Sequence, residues 1–465
     1  MNSLSLYSKL PIFLQNAACT YYGYREKKVR MGRAFDLHLK FLLSTEFSSI
    51  EEIEKYQNKK IASLVRYSYE NVPFYKSLFD RVGIAPEDIQ SRSDLKNLPI
   101  LRKEDVFQFS EELRSTGPVG SAVRKSKTSG TSGTALSFFT TEDAVAFTWA
   151  VWWRHRSRFG FVPGDWHVNF TGRPAVPLGQ ARMPYWRIDW ARKQIIISAS
   201  HLVPGKIGSL TEYLNKKNIE IFTGYPSQIA QFCGLLESEG LALEKKPSFI
   251  FPGAENVQDF QQDVISRVTG AEITDQYGFS EGACNASRCE YGNYHEDWEY
   301  GVMDCEEGVE NPDGSMTGKI IGTGFTNLAF PFIRYEVGDT ATWAPEGYVC
   351  PCGRQSRVIW KIDGRSEDFI LTPEGNRVMR LDYLFKDSKR IREAQVVQRE
   401  LGAIAIRYVP REGFDSTDLD HIKKTVKGWI SPLLQVTFER VTHIERSASG
   451  KFKPVVSELR GSEKK

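Results

Sequence analysis

The chain has 465 residues, 41% of them hydrophobic, and its 61 Lys and Arg nearly balance 58 Asp and Glu for a formal net charge of +3. This is the balance of an ordinary folded protein large enough for more than one domain, and it gives no electrostatic basis for nucleic-acid binding; the short basic runs Arg25 to Arg33 and Arg154 to Arg158 read as solvated helix faces. Seven irregularly spaced cysteines in so long a chain exclude a secreted disulfide scaffold.

In chain order, the first predicted element is the apolar, aromatic segment Leu4 to Tyr24. Within it the apolar run LPIFLQNAAC is interrupted by Gln15 and Asn16 and falls well short of the ~20 residues a membrane span needs, so neither a good signal peptide nor a membrane span is expected. A cytoplasmic protein is expected. The segment reads as a helix packed on the main domain, while the basic residues after it would also suit peripheral contact with a membrane surface. From Ile50 to Asp80 apolar residues recur at helical spacing up to the break NVPFY, and GIAPEDI and SDLKNLPILRKEDV follow as short capped helices punctuated by proline. Residues 1–110 are therefore a helical lead-in.

Next comes a basic approach, RKSK, and then TSGTSGTA, Thr128 to Ala135. Its glycines let backbone N–H groups close on anionic oxygens, and its hydroxyls donate further hydrogen bonds, so Thr128, Ser129, Gly130, Thr131, Ser132, Gly133 and Thr134 form a candidate phosphate loop. No lysine follows Gly133, so the GxxxxGK[ST] loop of nucleotide triphosphatases is absent.

Between Gln194 and Asp275 strand-like runs (IIISAS, IEIFTG, SFIFPG, AEITDQ) alternate with helical stretches, the rhythm of a parallel sheet with crossover helices. Ligands bind at the carboxyl ends of such strands. TGYPS, PGAEN and YGFSE fall there, and the three turns are expected to line one crevice. After Gly318 the chain becomes β-rich, through KIIGTGF and FPFIRYEVGD, and at KIDGRSEDFI charge and glycine replace apolar periodicity. The fold class is thus α/β: a large N-terminal domain, residues 1–365, with mostly parallel sheets, crossover helices and a β-rich subdomain, and a small α+β C-terminal domain, residues 366–465. The latter reads as a strand Ala394 to Val409, a helix Asp415 to Ile430, a strand Leu434 to Ile444 and the loop ERSASGKFK.

Four side chains suit a closed tetrahedral zinc site: Cys289 and His295, and Cys350 and Cys352 in VCPCGR, with Cys284 and Cys305 as alternative ligands. Zinc here would be a structural staple. Free thiols in a turn are the simpler alternative.

Five separated stretches, in this order, resemble the adenylate-forming enzymes and most closely the phenylacetate-CoA ligase family, including its relatives found with capsular polysaccharide genes. The resemblance runs from about Tyr67 to Val455 and implies ATP, Mg²⁺, coenzyme A, a carboxylic acid substrate and a homodimer. It implies that the Thr128 to Ala135 loop holds the β and γ phosphates, although Thr134 and Ala135 stand where many members have Lys and Pro. It implies that Gly253, Ala254 and Glu255 lie beside adenine, that Tyr277, with Gly278 and Ser280 in the same motif, stacks on it, and that Glu281 holds Mg²⁺. Asp339 and Arg365 match ribose contacts, Glu367 the hinge where Asp is commoner, and Lys451 the catalytic lysine of a mobile C-terminal lid.

Two other readings compete. Gly278 to Gly282 also fits G-x-S-x-G, the nucleophile elbow of serine hydrolases, with His421 or His443 as the base. A nucleotide-binding scaffold without turnover is the second. Within the ligase reading the acceptor is open among coenzyme A, an amine and a sugar, and adenylyl transfer is a further outcome. Trp149, Trp152, Trp153, Phe170 and Tyr225 would suit an aryl acid but equally a protein core.

Overall fold

A computed structural model describes residues 7–127, 136–171, 175–177, 180, 182–198, 201–365, 369–373, 377–379, 381–385, 390–446 and 452–459. The chain forms two compact units, each built from discontinuous stretches: Met1–Cys19, Trp166–Ile273 and Gly364–Lys465 make one, Thr20–Asp165 and Thr274–Asp363 the other.

The first unit contains a six-stranded sheet in the order Trp186–Asp189, Gln194–Ser198, His167–Thr171, Ile221–Gly224, Phe249–Pro252, Glu272–Ile273. All pairs are parallel except the first. Helices Gly208–Lys217, Pro226–Ser238 and Asp259–Thr269 provide the crossovers. Strands covered on both faces need apolar side chains throughout, which is why Ile195 and Ile197, Phe222 and Ile250 enter one buried cluster with Phe232 and Val264 of the helices. The strand His167–Thr171 is central, yet its mixed sequence HVNFT escapes an apolar-run reading.

The same unit carries a four-stranded sheet, Gln435–Arg440, Ala403–Pro410, Ile391–Glu400, Val455–Ser457, covered by the helix Thr417–Thr425. The single strand expected from Ala394 to Val409 is in fact an antiparallel hairpin, reversed at Leu401-Gly402 where Gly402 takes φ 88°. A left-handed glycine between two β-rich runs forces the turn.

The second unit begins helical. Ser49 and Glu52 close a capping box on the helix Ile50–Asn71, and Pro73, which needs no amide partner at the first helical position, starts the helix Pro73–Val82. A seven-stranded sheet follows the order Gly301–Glu310, Met316–Gly324, Tyr335–Trp343, Val358–Arg365, Tyr294–Glu296, Asn285–Arg288, Gln276–Gly278. YGFSE was expected after a parallel strand of the first sheet. Instead AEITDQ splits: Glu272–Ile273 stays in that sheet, and Gln276–Gly278 is an edge strand of this one, antiparallel to Asn285–Arg288. Buried Arg154 anchors the unit, bonding Glu299 and Asp297 at 2.7 Å each. No helix among the described residues is long and apolar enough to cross a membrane.

Candidate functional site

In the first unit, TGYPS and PGAEN follow adjacent parallel strands, and the Gly253 amide donates to the Gly224 carbonyl at 2.9 Å. Gly224 cannot be another residue: at φ 112° its added Cβ would lie 2.0 Å from the Phe170 carbonyl oxygen. Ala254 sits at φ 66°, a left-handed backbone that is rare for a residue with a side chain and is the kind of local strain found at ligand sites. The next carboxylate, Glu255, accepts the Ser227 amide at 3.2 Å and the Phe452 amide at 2.6 Å. Burial pushes its pKa up, opposed first by the Phe452 amide.

In the second unit, the Tyr277 hydroxyl donates to Asp339 Oδ2 at 2.7 Å. Burial, then repulsion from Asp339, holds this phenol well above the usual tyrosine range, so it remains a proton donor. A bulge delivers Asp339. Thr340 pairs with Lys319 and Glu336 with Ile321, leaving Val337, Gly338 and Asp339 opposite the single residue Ile320, with Gly338 at φ 89°. Such bulges re-aim side chains beside sites. Glu281 accepts from the Tyr335 hydroxyl at 3.3 Å, and Ser280 is exposed.

Sequence reasoning missed two neighbours of this motif, Tyr335 and Asn285, and named a third, Trp152, only as an aromatic suited to an aryl acid or a core. A Cβ on Gly278 would lie 2.3 Å from Asn285 Nδ2 and 3.7 Å from Trp152 Nε1, so the glycine is what lets these groups approach. Asn285 is buried and accepts from Gln276 at 2.8 Å. Only its place opposite Gly278 in the antiparallel pair marks it, and no sequence spacing encodes that. Phe170 and Trp153 prove to be buried core side chains. The G-x-S-x-G stretch joins two antiparallel strands, whereas a nucleophile elbow requires a strand-to-helix turn.

Thr128, Ser129, Gly130, Thr131, Ser132, Gly133, Thr134, Glu367 and Lys451 lie outside the described residues. Arg365 ends the strand Val358–Arg365.

The four metal-ligand candidates converge: the donor atoms of Cys289, His295, Cys350 and Cys352 all lie within 4.8 Å of one another. Two tight turns and a strand pair build the cluster. Gly292 donates to the Cys289 carbonyl at 2.9 Å, Gly353 to that of Cys350 at 3.1 Å, and His295 pairs with Val358. Cys289 Sγ and Cys350 Sγ are 3.8 Å apart. Zinc–sulfur bonds of ~2.3 Å at tetrahedral angles would put two sulfurs about 3.8 Å apart, so the donor set fits. Asn293 Nδ2 lies 3.3 Å from Cys350 Sγ as a donor that suits a thiolate. Hydrogen bonding from Cys289, more than that from His295, pulls the Cys352 thiol well down, while the same pairing, with burial, pushes Cys289 up. Cys284 and Cys305 are not in the cluster.

Comparison with known proteins agrees with this layout. A family model for the CapK C-terminal domain matches residues 370–458. Protein CapK of Staphylococcus aureus is 24% identical over 462 residues, covering 98% of this chain and 99% of that protein. Phenylacetate-coenzyme A ligase of Escherichia coli (strain K12) is 25% identical over 355 residues, 70% of this chain and 74% of the relative. Among solved structures, 2-hydroxyisobutyryl-CoA ligase in the postadenylation state superposes with a TM-score of 0.69 at 17% identity, over 90% of this chain and 92% of that one. The fold is thus the one found in 2-hydroxyisobutyryl-CoA ligase, an adenylate-forming acid ligase. In sequence the chain is similar to the phenylacetate-CoA ligases and, along its whole length, to CapK.

Proposed function

We propose that the chain activates a carboxylic acid with ATP and then passes the acyl group to a thiol, that of coenzyme A. The acid's carboxylate oxygen attacks the α-phosphorus, the bond to the diphosphate breaks, and diphosphate leaves; the thiol then displaces AMP from the acyl-adenylate. The observation that carries this reading is the Tyr277–Asp339 pair, an aromatic face for a purine bonded to a bulge-borne acid for ribose hydroxyls. Gly253 and Ala254 supply the turn beside the base.

Two anions meeting at ~4 Å repel by roughly 4 kcal/mol at an effective dielectric near 20. Lys451 is assigned to cancel that repulsion by standing between carboxylate and α-phosphate. Glu281 is a hard oxygen ligand suited to Mg²⁺, which when bound would draw charge from the phosphates. Residues 366–465 are assigned as a lid pivoting near Glu367, withdrawing Lys451 before the thiol attacks. Arg365 is the second ribose contact in this scheme. Cys289, His295, Cys350 and Cys352 are assigned to structural zinc, which would tie the hairpin after YGFSE to the turn before the last strand of that unit.

The sequence resemblance to relatives found with capsular polysaccharide genes favours a place in cell-surface polysaccharide synthesis, where an amine or a sugar is the alternative acceptor. Exposed Phe13, Tyr21 and Tyr24 on the basic helix Ile12–Arg30 favour a peripheral membrane contact as a secondary reading. ATP–diphosphate exchange across a panel of carboxylic acids tests the proposal. Exchange with at least one acid is expected; none with any acid, or ester hydrolysis without ATP, refutes it.

A further inference from the structure

Glu255 is tied at both carboxylate oxygens. Oε2 takes the amide of Ser227, second residue of the helix Pro226–Ser238, one of the first-turn amides that no helical carbonyl can satisfy. Oε1 takes the amide of Phe452 at 2.6 Å, the length of a strong bond to a charged acceptor. Phe452 directly follows Lys451 in the chain. Its ring is buried, 6.3 Å edge-on from Phe260 and capped by the Arg446 guanidinium 4.8 Å above it. Arg446 is itself held by Glu393 at 2.8 Å. Ala254, in the left-handed backbone region at φ 66°, directly precedes Glu255.

We infer that Glu255 is a positioning residue, a latch that docks the C-terminal loop through the Phe452 amide and so presents Lys451 for the first half-reaction only. This rests on the role given to Lys451 above. The bond must break whenever the lid swings, so the latch acts on adenylation and is absent from thiol attack. It also separates Glu255 from a base contact: losing a base contact raises KM for ATP, whereas losing the latch lowers the rate of adenylation at saturating ATP.

The test uses the full chain with Glu255→Ala and the isosteric Glu255→Gln, each checked for an unchanged melting profile. Hydrogen exchange at the Phe452 amide should quicken about tenfold or more in the alanine variant and less in the glutamine variant, which keeps an acceptor. Diphosphate exchange should fall about ten- to a hundredfold in Glu255→Ala with KM for ATP nearly constant, while thioester formation from supplied acyl-adenylate keeps its wild-type rate. Unchanged exchange at Phe452, equal loss in both half-reactions, or a rise confined to KM for ATP overturns the latch. If the wild-type chain releases no diphosphate with any acid, the functional reading falls and the latch falls with it; if it does release diphosphate, the outcomes above decide the latch by themselves.

Discussion

Tyr277 donates a hydrogen bond from its hydroxyl to Asp339 across 2.7 Å, although 62 positions separate the two in the chain. The bond fixes both the plane of the ring and the direction of the carboxylate before any ligand arrives. Asp339→Ala should weaken ATP binding about ten- to a hundredfold, the scale of hydrogen bonds to a charged group. Tyr277→Phe, which keeps the ring, should cost less than about tenfold, and Tyr277→Ala more. Equilibrium binding of ATP to the three variants checks this order.

Lys451→Ala should abolish acyl-adenylate formation and leave thioester formation from supplied acyl-adenylate intact. Single-turnover assays of each half-reaction separate the two. Equal loss in both would remove Lys451 from its assigned place between the two anions.

Protein purified without a histidine tag should carry about one zinc per chain. Cys350→Ser or His295→Ala should lose most of the metal and melt several degrees lower, and chelation of the wild type should lower its melting temperature in the same direction. Elemental analysis beside calorimetry decides; wild-type zinc well below stoichiometry would leave the cluster as thiols.

Gly224→Ala should fail to accumulate as folded protein. The new methyl would meet the carbonyl oxygen, carbonyl carbon and amide nitrogen of Phe170 at 2.0, 2.7 and 2.9 Å, all backbone atoms of the neighbouring strand. Overpacking against side chains costs about 1–3 kcal/mol, and here nothing flexible can yield. Soluble yield and circular dichroism provide the measurement.

Stability should decline at alkaline pH. Burial raises the phenols of Tyr277 and Tyr300, the latter to about 12. In the unfolded chain they ionise near 10, so between that pH and their folded values only the unfolded state loses protons. The stability they contribute is complete below about pH 10 and lost as pH rises through the folded values. Urea unfolding at several pH values should show a falling midpoint there, with Tyr300→Phe reducing the slope.

Local chemistry was readable wherever residue type alone carries it. PGAEN and TGYPS lie at parallel strand ends because apolar runs followed by glycine and proline leave few alternatives, and Cys289, His295, Cys350 and Cys352 meet because zinc-type ligands are rare and paired. What could not be read depended on pairing across the chain. AEITDQ looks like one strand, but its halves serve two sheets, a division made by partners far away in sequence. HVNFT lacks the apolar run of its neighbours, and the single glycine Gly402, between two β-forming runs, is too brief a break to mark a hairpin without its pairing. The bulge that aims Asp339 is invisible without its opposite strand. Glu255 was legible as part of a motif, but its bond to Phe452 was not, since no local pattern links them.

The interleaving of the chain governs how it can be cut. One buried cluster of the second unit draws Ile61 to Phe138 from an early stretch and Ala283 to Tyr335 from a late one. During synthesis the early half must therefore wait, its oily face uncovered, until the ribosome has delivered the intervening unit's sheet and then the missing half. Expression fragments ending anywhere before Tyr335 are expected in inclusion bodies, and a dissection into separately soluble pieces would need rearranged gene order more than well-placed stop codons.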